Sequence, residues 1–223
     1  MNEGFKRFPR FTPFGERALL VEFDDQLTLS ANGQVRSLDF YLSQNPIKGV
    51  SEWVPGYSSL LVHYDPRVIQ LAAVQNWVEG GLAIGLQEVG HPPKMVELLV
   101  HYGGEDGPDL PYVAEYHHLT PDDVVLKHTS PVYRVGMMGF MPGFAYLLGL
   151  DPTLATPRLS TPRTHIPAGS VGIAGYQTGV YPLDSPGGWQ LIGRTAQALY
   201  DPGHEPYFAL SPGDQVRFIP IKN

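Results

Sequence analysis

A chain of 223 residues, 43% hydrophobic and 17% charged, has the apolar content to offset the entropy of folding, and its length suits two modest domains. A formal net charge of -7 removes the electrostatic reason to bind nucleic acid. The absence of cysteine excludes disulfides, thiolate zinc sites and a cysteine nucleophile.

In chain order, the opening "MNEGFKRFPRFTPFGER" lacks the apolar core of a signal peptide. The uncharged run from Val135 to Leu150 is too short to span a bilayer, so a soluble cytoplasmic protein with no membrane partner is expected. "ALLVEF" (18–23) reads as a strand, and "TLSANGQVRSLDFYLSQN" as a helix carrying Val35, Leu38 and Leu42 on one face up to the stop at Asn45-Pro46. "VSEWV" and "YSSLLVHY" read as strands on either side of the Pro55-Gly56 turn. From Asp65-Pro66 a second helical pattern carries Leu71, Val74, Trp77 and Val78, and Gly80-Gly81 is expected to close it.

"MVELLVHY" (95–102) is a further strand. The order β-α-β-β-α-β predicts a ferredoxin-like unit, unless "HPPK" (91–94) is a linker that hands this last strand to the next domain. The domains are therefore set at 1–92, small and α/β, and 93–223. In the second, helices are expected near Asp109 to His118 and from "TPDD", where Thr120 caps and Pro121 suits the first turn. Beyond Pro131 the short apolar stretches cut by Gly and Pro predict a β-barrel or sandwich, so the whole chain reads as α+β.

Residues 165–195 hold seven glycines but only two charged side chains, Asp184 and Arg194. Gly169, Gly172 and Gly175 do not make a dinucleotide or P-loop signature, and no lysine lies between Lys127 and Lys222. Two readings stay open: tight barrel corners where only glycine fits, or backbone N–H groups brought close to a ligand. Phe140, Phe144 and Tyr146 flank a Pro142-Gly143 turn, as a core lid or a pocket wall. Each of Arg158, Arg163 and Arg194 needs a partner in so weakly charged a region, either Asp184 or Asp201 or a ligand carboxylate. Arg163, just before the glycine run, is the candidate for the ligand. The histidines show no metal-binding spacing, and no metal ligands are identified. His128 ends the "TPDD" helix, either as a cation at the helix C-terminus or as a proton-transfer group. Glu105 and Asp109 are turn and cap residues, or catalytic carboxylates if they face a cleft. A G-x-S-x-G elbow is lacking.

Together, "YGGEDGPDL", "HTSPVYRVGMMGFMPGFAYL", the long run "LATPRLSTPRTHIPAGSVGIAGYQTGVYPLDSPGGWQLIGRT" and the ending "LYDPGHEPYFALSPGDQVRFIPI" resemble the 5-oxoprolinase B-subunit family. That family is also labelled allophanate hydrolase subunit 1 and includes the kinase inhibitor KipI. The resemblance runs from about Arg17 to Ile221, with Ala145 and Leu148 standing where the family pattern has Pro and Gly. It implies a small α/β N-terminal domain and a cyclophilin-like β-barrel. It also implies two partners, the A and C subunits of 5-oxoprolinase, and a complex that uses ATP to hydrolyse 5-oxo-L-proline to L-glutamate.

Such chemistry needs a cation for the substrate carboxylate, donors for an oxyanion and an acid/base pair. From motif position and residue chemistry, the candidates for those roles are Arg163, the Gly169–Gly175 backbone (with Ser170 and Gly172) and Gln177, and His128 with Glu105. Phe140, Phe144, Ser185 and Trp189 shape the substrate cleft. The competing readings are a KipI-like inhibitor of a sporulation histidine kinase and an allophanate or urea amidolyase-type component.

Overall fold

The computed structural model describes residues 8–84 and 92–221. His91, counted with the expected linker, lies outside them. Contacts divide the chain into two units, residues 1–92 and 93–223.

The first unit contains β1 (Arg10–Pro13), β2 (Ala18–Glu22), α1 (Leu29–Gln44), β3 (Val50–Pro55), β4 (Ser59–Tyr64) and α2 (Leu71–Ala83). The strands form an antiparallel sheet in the order β1-β2-β4-β3. Alternation puts Leu19, Val21, Leu60 and Val62 on one face, where they meet Val35, Leu38 and Leu42 of α1 and Val74 and Val78 of α2. Thr28 caps α1, its hydroxyl accepting from the Ala31 N–H at 3.1 Å. Gly80 and Gly81 do not end α2, which runs on to Ala83; Gly81 instead lies against Tyr41 and Leu38 of α1.

The second unit takes the strand that would have closed the ferredoxin-like sheet. β5 (Met95–Tyr102) pairs in parallel with the chain's last strand, and the sheet edge beside β2 is held by β1, a strand that the sequence pattern did not reveal. After β5 come α3 (Leu110–Tyr116), α4 (Pro121–Thr129), β6 (Tyr133–Met138), β7 (Ala145–Leu148) and one 3-10 turn at Pro152–Leu154. Then follow β8 (Arg163–Ile166), β9 (Ser170–Ala174), β10 (Gln177–Val180), β11 (Ser185–Gly187), β12 (Gln190–Arg194) and β13 (Gln215–Ile221).

Seven strands close a barrel in the order β10-β7-β6-β13-β5-β12-β9, while β8 and β11 form a separate hairpin. Closure gives every barrel strand two neighbours and leaves Leu98, Val100, Val135, Leu147, Val171, Ile192, Val216 and Phe218 inside. The "TPDD" start is a full capping box: the Thr120 hydroxyl accepts from the Asp123 N–H and the Asp123 carboxylate accepts from the Thr120 N–H. Among the described residues no helix is long and apolar enough to cross a membrane.

Candidate functional site

The β6–β7 connection builds one wall of a cleft on the barrel unit. The Met141 N–H donates to Gly139 O at 2.8 Å and the Phe144 N–H donates to Met141 O at 3.1 Å. This tight turn holds Phe140 at φ +68° with 61% of its surface exposed. Phe144 lies beneath it, ringed edge-on by Phe140 (5.5 Å between centroids), Tyr146 (4.7 Å), Tyr181 (5.2 Å) and Trp189 (5.4 Å). Edge-to-face contacts of this kind suit aromatic quadrupoles and fix the rings relative to each other.

Gly179 makes that cluster possible: a Cβ there would fall 2.8 Å from Ala145 O and 3.3 Å from both the Phe144 and Trp189 rings. Of the two readings of the glycine run, its role at this position is therefore geometric, and the space it leaves is filled by the pocket's own walls.

Phe140, Phe144, Tyr146, Tyr181 and Trp189 line a cleft of about 260 Å³ together with Arg158, Pro162, Pro186, Gly187 and Gly188. Burial raises the Tyr146 phenol and pushes that of Tyr181 up to about 12, so both are neutral at physiological pH. Arg158 is exposed and forms no hydrogen bond or ion pair with any described residue. An unpaired guanidinium at the mouth of an aromatic slot can take the carboxylate of a small, flat, otherwise apolar molecule.

Arg163, the expected carboxylate binder, is already engaged. Its Nη2 donates to Asp109 Oδ1 at 2.6 Å and its Nη1 to Trp189 O at 3.3 Å. Asp109 Oδ2 accepts from the Leu191 N–H at 2.6 Å, so this carboxylate latches the start of α3 to β8 and β12. The partner of Arg163 is thus neither Asp184, which accepts from the Ala168 N–H, nor Asp201, which pairs with His204. Arg163 holds the Trp189 backbone, and Arg158 is the cation of this cleft that has no ion pair with a described residue.

His128 does not reach the cleft. It is 0% exposed, with Nδ1 bonded to the Tyr102 hydroxyl at 2.8 Å and Nε2 to the Thr178 hydroxyl at 2.9 Å. Phe218 and Tyr133 flank its ring, and burial holds it neutral, with its pKa lowered to about 3. A ring sealed from solvent with both nitrogens occupied cannot exchange protons with a substrate, which corrects the acid/base expectation. Glu105 is exposed in the turn after β5 and is absent from the cleft lining.

The expected oxyanion donors are also used internally. Ser170 and Gly172 lie in β9, which is laddered on both edges, while Gly169 and Gly175 donate to Tyr181 O and Thr156 O at 2.7 Å. The Ser170 hydroxyl donates to Pro167 O at 2.7 Å, and Gln177 and Ser185 fall outside the lining. Of the expected substrate contacts, Phe140, Phe144 and Trp189 come together; Tyr181 was missed, because "GVYPL" reads only as a strand.

With these amides consumed and Lys127 held by Asp151 at 2.9 Å, the glycine stretch does not fit a nucleotide triphosphate. Among the described residues no group of three or more His, Asp or Glu side chains could hold a metal ion.

Residues 9–210 match the family "carboxyltransferase domain, subdomain C and D". The chain is 42% identical to the B subunit of 5-oxoprolinase from Bacillus subtilis (strain 168), over 93% of this chain and 90% of that protein. It superimposes on the crystal structure of TTHA0988 with a TM-score of 0.80 and 38% identity; the match covers 93% of this chain but only 40% of that one, so this chain spans less than half of that solved relative. It is also 27% identical to the urea amidolyase of Lachancea kluyveri, over 93% of this chain and 13% of that protein.

Proposed function

The chain belongs to the 5-oxoprolinase B-subunit family, and from that premise we propose that it holds the substrate in an ATP-dependent complex that opens 5-oxo-L-proline to L-glutamate. The observation that carries this reading is the unpaired Arg158 at the aromatic cleft. 5-Oxoproline is a five-membered lactam with one carboxylate. Phe140, Phe144 and Trp189 bracket the ring, Arg158 takes the carboxylate, and the neutral Tyr181 phenol can donate to the lactam oxygen. A urea-sized amide would leave the aromatic walls without a partner, which favours the cyclic substrate over the urea amidolyase reading.

No His, Asp or Glu lines the cleft, so this chain binds and orients while the group that activates water comes from elsewhere in the complex. The A and C subunits are the partners on this reading. The matches to TTHA0988 and to urea amidolyase support a partnered role, since there the same fold forms part of a longer chain.

The test is Arg158→Ala in the complex co-expressed with the A and C subunits. Losing a charged hydrogen-bonded contact of roughly 1.5–3 kcal/mol should raise the KM for 5-oxoproline about ten- to a hundredfold, with kcat changed far less. Arg158→Lys should recover part of it. A variant complex with unchanged kcat/KM would remove the assignment.

A further inference from the structure

A second cleft, of about 410 Å³, lies on the outside of the barrel and shares no lining residue with the aromatic one. Arg194 ends β12 directly opposite His101 of β5. Leu98 and Val100 are buried inside the barrel, so alternation turns His101 outward.

The wall between these residues is tied by hydrogen bonds. Asp184 accepts from the Ala168 N–H at 2.7 Å, and Ala168 O accepts from Arg194 Nε at 2.9 Å. Gly169, at φ +83°, packs so closely on Thr195 that a Cβ would collide with the Thr195 carbonyl. Its own carbonyl accepts from the Thr195 N–H at 2.9 Å. Only glycine allows this approach.

Against this settled backbone, three side-chain groups are left over. Arg194 uses Nε alone, and its Nη groups have no partner among the described residues. Asp106, half-buried, forms no hydrogen bond or ion pair with a described residue, Arg194 included. His101 Nδ1 is buried and has no hydrogen-bond partner among the described residues. An orphaned buried nitrogen costs free energy, and a guanidinium and a carboxylate that share a cleft without pairing leave room for a ligand between them.

We propose that this cleft binds a free α-amino acid as its zwitterion. The carboxylate lies on the Nη edge of Arg194 and the ammonium on Asp106. Asp106 disfavours a dianion such as phosphate, and Arg194 disfavours a simple cation. The natural occupant rests on the function proposed above: the product L-glutamate is an α-amino acid, whereas the nitrogen of 5-oxoproline is an uncharged amide. The cleft would therefore separate product from substrate.

The experiment is a calorimetric titration of the full chain, without its partners, with L-glutamate. One saturable site is expected, weakened at least about tenfold by Arg194→Ala and by Asp106→Asn and unchanged by Arg158→Ala. Thermal melts of each variant confirm that it is folded, and Arg194→Lys should retain part of the binding. N-acetyl-L-glutamate, whose nitrogen carries no charge, and 5-oxo-L-proline should not compete. No saturable binding at millimolar concentration, binding that survives both substitutions, or equal binding of N-acetyl-L-glutamate would overturn the proposal. None of these outcomes touches the Arg158 assignment, which is read from 5-oxo-L-proline and not from L-glutamate.

Discussion

The hydrogen atoms around His128 can be placed from its neighbours. Thr178 donates its hydroxyl proton to Gly172 O at 2.9 Å, so it accepts from Nε2–H, and Nδ1 accepts from the Tyr102 hydroxyl. This is the neutral ring, and its pKa of about 3 lies below the ordinary value of 6.5 in the unfolded chain. Between those two values the unfolded state binds the extra proton. The stabilisation is therefore complete above about pH 6.5 and is lost as pH falls toward 3. Unfolding by urea should show a loss of about 2 kcal/mol between pH 6.5 and 5 from this group. His128→Gln should flatten that slope while lowering stability at pH 7; a variant that keeps the slope would assign it to other groups. The sequence marked His128 as ending a helix, yet whether that end faces solvent or the barrel interior depends on Tyr102 and Thr178, 26 and 50 residues away. The arginines teach the same lesson. From the scarcity of charge a partner was expected for each, but Arg158 and Arg163 are equivalent in local sequence. What distinguishes them is Asp109, brought to Arg163 across 54 residues by the packing of α3 on β12.

At the scale of elements, the capped start of α4 and the strand at 95–102 were legible, because a capping box and period-two alternation are local signals. The partner of β5 was not, since parallel pairing with β13 joins segments more than a hundred residues apart. The β6–β7 turn was legible only as Pro142-Gly143. Its unusual feature precedes that pair: the Met141-to-Gly139 bond with a positive φ at Phe140 is the rare, strained form of γ-turn. A bulky residue in that conformation costs on the order of 1–3 kcal/mol and persists where surroundings or function hold it. Here it carries an exposed ring to the rim of the aromatic cleft. Phe140→Gly should relieve the strain and, after the entropic cost of glycine, raise stability by up to about 1 kcal/mol in thermal or urea unfolding. The same variant should raise the KM for 5-oxoproline several-fold by removing one wall of the slot. Phe140→Ala should lose the wall without gaining the stability. If Phe140→Gly is more stable and its KM is unchanged, the ring has no part in binding.

At the scale of the whole molecule, the division of labour follows from what each unit contains. Each has its own hydrophobic core, and the barrel unit holds an aromatic cleft with a cation but no acid or base in its lining. The backbone amides that the sequence offered as oxyanion donors are spent in the barrel's own ladders and corners. On the proposed reading, binding the lactam and activating it are separable, and only the first belongs to these residues. The purified chain alone should bind 5-oxo-L-proline in a calorimetric titration without nucleotide, and Arg158→Ala should weaken that binding about ten- to a hundredfold. Incubated alone with ATP and 5-oxo-L-proline it should release neither ADP nor L-glutamate, and both products should appear together once the A and C subunits are added. Glutamate formed by the isolated chain would place an activating group in this chain, outside the cleft described, and would end the separation of binding from chemistry.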